Sequence, residues 1–128
     1  MTNKKENERI VEACSMCNKS NALAILREAF ITCNNVFLNR VSEAYLYGSF
    51  ARGDYHEYSD VDILIIVDMD DEELYRCRSS LASINSELSL KHDVTVSITV
   101  KSQEHFRKYA TVLPYYVSVL KEGVRYGH

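Results

Sequence analysis

The sequence predicts an α/β (α+β) chain, a small mixed β-sheet flanked by helices. Three observations carry this reading. Val61–Val67 is an almost wholly apolar run, interrupted only by Asp62. A Val- and Ile-rich run of this length reads as a strand buried on both faces, which needs a covering layer on each side. His92–Val100, HDVTVSITV, alternates instead: Val94, Val96, Ile98 and Val100 fall on one face, Asp93, Thr95, Ser97 and Thr99 on the other, as in a strand with one buried face. Two other stretches repeat apolar residues at helical spacing: Leu23, Leu26, Phe30, Cys33 and Phe37, then Leu74, Cys77, Leu81, Ile84 and Leu88.

In order, residues 1–18 read as a polar start and a short helix with Ile10, Val11 and Cys14 as its apolar stripe. A helix is expected from Asn21 to Leu38, capped by Ser20 or Asn21. Glu43–Tyr47 is the first strand, and Phe50–Ser59 is a polar, turn-rich connection of ten residues. His56 and Glu57 in it read as solvated. The acidic run Asp68–Glu73 suits a helix N-terminus, where negative charge meets the positive end of the macrodipole. The helix itself is expected over Glu73–Leu90. Ser102 reads as the cap of a helix from Gln103 to Ala110. Pro114 opens a last helix to Lys121, since proline favours the first turn. Gly123 stops it, and Val124–Tyr126 is expected to add a short strand. No repeat or Pro/Gly-rich linker divides the 128 residues. They read as one domain, an N-terminal helical segment 1–40 and a core 41–128 that would carry the chemistry.

The net charge of −3 argues against a protein that grips nucleic acid by bulk charge. The sequence lacks a run of about 18 apolar residues, so no transmembrane helix is expected, and the basic N-terminus lacks the apolar core of a signal peptide. Cys14 and Cys17 form a CxxC, but there is no second CxxC and no His pair at zinc spacing. The four cysteines read as free thiols, which points to a reducing cytoplasm.

The chemistry concentrates between Tyr45 and Asp68. Asp62 inside an apolar strand is costly unless paired, hydrogen-bonded or bound to metal. Asp60 and Asp62 are two apart, so on a strand they share a face. Two neighbouring carboxylates repel each other and invite a hard cation, typically Mg²⁺. On the other side of the loop, Gly48-Ser49 follows a strand and opens a turn over Ser49–Arg52. A glycine lets a phosphate approach the backbone, and the free N–H groups of a helix start favour anions. A phosphate cradle beside a carboxylate pair suggests metal-assisted chemistry on a nucleoside triphosphate.

Gly48-Ser49, ten residues, then Asp60-Val61-Asp62 resembles the signature of the nucleotidyltransferase (DNA polymerase β-like) superfamily. The fuller string GSFARGDYHEYSDVDILIIV is similar to its minimal nucleotidyltransferase branch, often encoded beside HEPN-domain partners. The resemblance implies a nucleotidyltransferase-like fold and transfer of a nucleoside monophosphate, AMP from ATP, to a hydroxyl. It implies two Mg²⁺ ions on Asp60 and Asp62, and a third carboxylate from a neighbouring strand, for which Asp93 is the matching residue. Asp93 would bind the second ion or act as the base. Gly48 and Ser49 would hold the β- and γ-phosphates. Arg52 could touch phosphate or hold the loop through a salt bridge.

Little chain remains for an acceptor-binding domain, so the acceptor site is expected to be completed by another protein or a second copy. The leading expectation is an antitoxin that modifies a tyrosine on a HEPN-type toxin. The alternatives are a stand-alone transferase for a small molecule such as an aminoglycoside, and a non-catalytic subunit that masks a partner.

Overall fold

The computed structural model describes residues 17–127. The helix expected before residue 18, and Cys14 of the CxxC, lie outside them. The chain runs α1 (Lys19–Val36), β1 (Val41–Tyr47), a single turn α2 (Ser49–Arg52), β2 (Val61–Val67), α3 (Asp71–Arg76), α4 (Arg78–His92), β3 (Val96–Ser102), α5 (Gln103–Tyr109), α6 (Pro114–Glu122) and β4 (Val124–Arg125). The four strands form one sheet in the order β3-β2-β1-β4. β2 and β3 are parallel, while β1 is antiparallel to both β2 and β4. This is the mixed α/β architecture expected.

β2 is central and buried on both faces, as its composition requires. Val61, Ile63, Ile65 and Val67 enter a core with Ile25, Leu26 and Ala29 of α1 and Ile84 and Leu88 of α4. Leu64 and Ile66 point the other way, against Tyr45, Phe106 of α5, and Tyr116 and Val119 of α6. Asp62 shares the alternation of Leu64 and Ile66, so it belongs to the α5/α6 face. The outer edge of β3 is closed by α4: Val96 N–H donates to Ser89 Oγ and Ile98 N–H to Asn85 Oδ1, each at 2.9 Å. Side chains that take up these amides blunt an otherwise open edge.

Several boundaries move. α1 starts at Lys19 because Asn18, not Ser20 or Asn21, is the cap, in a reciprocal capping box with Asn21. It stops at Val36 because Leu38 and Asn39 turn left-handed, with φ of 55° and 62°. The helix expected over Glu73–Leu90 is two helices meeting at Cys77, the first capped by Asp70 with Asp71, Glu72 and Glu73 in its first turn. The larger correction concerns β3. His92 ends α4, Asp93 is its left-handed C-cap (φ 52°), and pairing with β2 begins at Val96. The strand expected from His92 thus loses its first four residues to a helix end. Its alternation holds where the strand exists: Val96 and Ile98 are buried, and Ser97 is exposed.

Candidate active site

The site forms where β1 ends and β2 begins. Antiparallel register puts Tyr47 opposite Asp62, so Gly48 leaves β1 beside the Asp62 side chain. Gly48 has φ 78° and ψ −157°, a region essentially closed to residues with a side chain. A Cβ built there would stand 2.5 Å from Asp62 Oδ2. Backbone and carboxylate therefore meet with nothing between them. Gly48 caps α2 without a capping side chain, and its carbonyl accepts from Ala51 and Arg52 N–H at 3.1 Å each. Ser49 is the first residue of that turn. Phe50 and Ala51 anchor it in the core, where Phe50 stacks on Tyr55 at 4.6 Å.

Asp62 is half-buried, and burial holds its carboxyl above the usual carboxylate range. The charge of Asp60 pushes it further up, and Arg52 pulls it partly back. The two aspartates thus act on one another, and Arg52 faces the same field. Arg52 is also tied to Asp54 at 3.2 Å and Glu122 at 3.4 Å, both exposed pairs. Of the two readings of Arg52, the salt bridge is present and the charge still reaches Asp62.

Asp93 does not join a three-carboxylate group. Among the described residues no cluster of three or more His, Cys, Asp or Glu could hold a metal ion. Asp93 is exposed at the end of α4, and the β3 residue paired with Asp62 is Ser97. It does share a cavity of about 210 Å³ with Asp60, lined also by Glu57, Tyr58, Val94 and Thr95. The resident carboxylate oxygens fit a hard cation of the Mg²⁺ type. Asp62 is desolvated and repelled by its neighbour, and a cation relieves both penalties. Two carboxylates suffice when substrate phosphates and water complete the coordination.

Sequence reasoning missed three residues around the site. Lys19 Nζ donates to the Ala51 carbonyl at 3.1 Å, which brings an ammonium to α2 from 32 residues away. Tyr47 stands beside Asp62 with its phenol bonded to Tyr115 of α6. Counting register back across the loop from Asp62 could have found Tyr47. Nothing in the spacing points to Lys19 or Tyr115.

A family profile for the nucleotidyltransferase domain matches residues 27–126. Two relatives from Methanocaldococcus jannaschii bear the name "Putative protein adenylyltransferase". MJ0604 is 36% identical over 87 residues, covering 68% of this chain and 79% of that protein. MJ0141 is 33% identical over 75 residues, covering 59% and 74%. A crystal structure of a toxin–antitoxin with AMP-PNP aligns at 18% identity and a TM-score of 0.47, over 75% of this chain and 68% of the other. The profile spans most of the chain and includes every element that builds the Gly48–Asp62 junction, so the chain belongs to the nucleotidyltransferase domain family.

Proposed function

We propose that this protein transfers AMP from ATP to a hydroxyl of a partner protein. The observation that carries the reading is the Gly48–Asp62 junction. It is a backbone cradle with no room for a side chain, set against a desolvated carboxylate whose neighbour is a second one. Gly48 and Ser49 would bind the β- and γ-phosphates through backbone N–H groups and the serine hydroxyl. Asp60 and Asp62 would hold Mg²⁺, which supplies charge neutralisation on the phosphates when bound. Fixing the triphosphate in this way aligns the α-phosphorus with an incoming oxygen.

The acceptor would enter through the cavity shared by Asp60 and Asp93. Its oxygen bonds to the α-phosphorus, the bond to the β-phosphate breaks and pyrophosphate leaves. Asp93 is the proposed recipient of the acceptor proton. A protein acceptor is favoured over a small molecule because both Methanocaldococcus relatives are named for adenylylating proteins. A tyrosine on a HEPN-type toxin is the acceptor we propose from the sequence resemblance.

Incubation with α-labelled ATP, Mg²⁺ and the product of the neighbouring gene, followed by mass spectrometry, tests this. The expected result is one AMP adduct on a tyrosine of that partner, lost with Asp62→Asn. Label on a small-molecule acceptor alone, or no label transfer in any mixture, would overturn the reading.

A further inference from the structure

The turn that leads into β2 carries the most exposed tyrosine of the described residues. His56, Glu57, Tyr58 and Ser59 form a tight turn, closed by Ser59 N–H donating to the His56 carbonyl at 3.0 Å. His56 N–H donates to Ser59 Oγ at 2.9 Å, and Tyr58 N–H to His56 Nδ1 at 3.1 Å. Ser59 is buried, and Val61 N–H ties the following residues to the Thr95 carbonyl at 2.8 Å. The backbone of the turn is thus fixed. The Tyr58 side chain on it is 82% exposed, and its phenol has no hydrogen-bond partner among the described residues. Its ring meets the His56 ring edge-on at 6.4 Å.

Tyr58 lines the cavity of about 210 Å³ together with Asp60 and Asp93, the cavity through which the acceptor would enter. It stands two residues before Asp60, so the two Cα atoms are at most about 7 Å apart. An exposed side chain turns between rotamers within nanoseconds, so the phenol is free to swing into the cavity from a fixed base. A hydroxyl held there is an acceptor that has already arrived. Tethering replaces a bimolecular encounter with a unimolecular one. The other tyrosines lack this position. Tyr45 and Tyr116 are buried, Tyr47 and Tyr115 are bonded to each other, and Tyr55 stacks on Phe50. Tyr75 is 65% exposed but belongs to α3, beyond the far end of β2. With seven residues, β2 spans about 20 Å.

We infer that Tyr58 is a modification site of this chain: without a partner, the protein transfers AMP from ATP to its own Tyr58 hydroxyl. The inference rests on the nucleotidyltransferase reading above. The Tyr58 oxygen bonds to the α-phosphorus, the bond from the α-phosphorus to the oxygen it shares with the β-phosphate breaks, and pyrophosphate leaves with that electron pair. The phenol proton passes to Asp93, which lines the same cavity, and from there to water. The product is an AMP phosphodiester on Tyr58, standing in the mouth that an incoming acceptor uses. The competing role of Tyr58 is a docking contact, since aromatic side chains are enriched at protein interfaces. A docking contact takes up no AMP, which separates the two.

The test is incubation of the full chain with α-labelled ATP and Mg²⁺ and no other protein, followed by intact-mass measurement and peptide mapping. The intact mass is read before and after, so AMP acquired in the producing cell is counted. The wild type is expected to carry a single AMP, on Tyr58 and not on Tyr75, with an equal amount of pyrophosphate released. The rate per chain should stay constant through a roughly tenfold dilution, as a reaction within one chain requires. Asp62→Asn should carry no adduct, and Tyr58→Phe should lose it. A parallel reaction adds the product of the neighbouring gene. AMP on that protein with none on Tyr58 would overturn the inference and leave Tyr58 as a docking contact. A rate that falls with dilution, or equal label on Tyr58 and Tyr75, would overturn it too, because the phenol would then be reached from another molecule. No label on either protein would instead overturn the nucleotidyltransferase reading, and this inference with it.

Discussion

Two acidic approaches lead into the same end of the sheet, and they are built on different terms. At β2, Asp62 is locked by strand register between Tyr47 and Ser97, half-buried and pressed against the Gly48 backbone. Ahead of β3, Asp93 is set by a single left-handed backbone conformation at the end of α4 and is exposed. The first carboxylate is desolvated before any ligand arrives, which costs the folded state free energy. The second carries no such cost. A group held at a cost in the resting protein is one whose compensation comes with a ligand. Asp62 therefore fits the fixed part of the site, where the proposed reaction would hold the triphosphate. Asp93 fits the part that an acceptor can approach or displace.

The sharpest way to break this comparison is at the cradle. Gly48 and Gly53 flank the same short turn, and both have positive φ, 78° and 93°. A Cβ on Gly53 meets nothing within 4 Å, whereas one on Gly48 meets Asp62. Gly48→Ala is expected to cost about 1–3 kcal/mol of stability from its backbone conformation and to lower transfer at least about 10³-fold, because the cradle and the carboxylate are both displaced. Gly53→Ala should cost about 1 kcal/mol and leave transfer near the wild-type rate. Denaturant melts and a labelled-ATP assay read both; equal transfer by the two variants would refute the placement of the phosphates.

Asp62→Asn comes next. Transfer should fall about 10²–10³-fold, as for loss of one group that acts in the transition state. Stability should move the other way. The folded-state pKa of Asp62 lies above its unfolded value, so between the two the folded protein binds more protons, and wild-type stability falls as pH rises through that window. An asparagine side chain never ionises, so the variant should gain on the wild type from just above the ordinary carboxylate range upward. Adding Mg²⁺ with ATP should reverse the order, since only the wild type gains a bound ligand. Melting curves across this pH range, with and without ligand, check both signs.

Asp93→Asn isolates the other approach. Asparagine is one of the few residues at home in the left-handed region, so the cap of α4 survives and the fold should be unaffected. ATP affinity is expected to match the wild type while transfer falls about 10²-fold or more, in the range a general base contributes. Transfer at the normal rate would leave the acceptor proton to solvent or to the partner.

The same contrast explains what could be read from the sequence. The Gly48–Asp62 junction was legible because its parts are near in sequence and each obeys a local rule: a glycine after a strand, an apolar run, two aspartates two apart. Asp93 reads as a strand residue because a run of period two, VTVSITV, extends by eye into HDV. The preceding helix takes His92, and a left-handed aspartate leaves no mark in hydrophobic pattern. The break at Cys77 is hidden for a related reason. Leu74, Leu81, Ile84 and Leu88 keep a plausible helical spacing across it. Tyr115 and Lys19 reach the site only through tertiary packing, from 68 and 32 residues away. No periodicity reports that.

Arg52 gives the smallest expected effect and the finest test. Its guanidinium is shared between Asp54 and Glu122, and all three side chains are substantially exposed. Such pairs contribute little to stability and are screened by salt. They would yield readily to a phosphate, which offers the guanidinium a stronger, bidentate partner. Arg52→Ala should therefore leave the denaturation midpoint nearly unchanged while lowering ATP affinity a few-fold, and raising the salt concentration should shrink that difference. Glu122→Gln provides the converse. It releases one carboxylate from Arg52, so ATP affinity should stay level or rise slightly. If Arg52 only ties the loop to α6, the two variants should instead lose the same small amount of stability and neither should alter ATP binding.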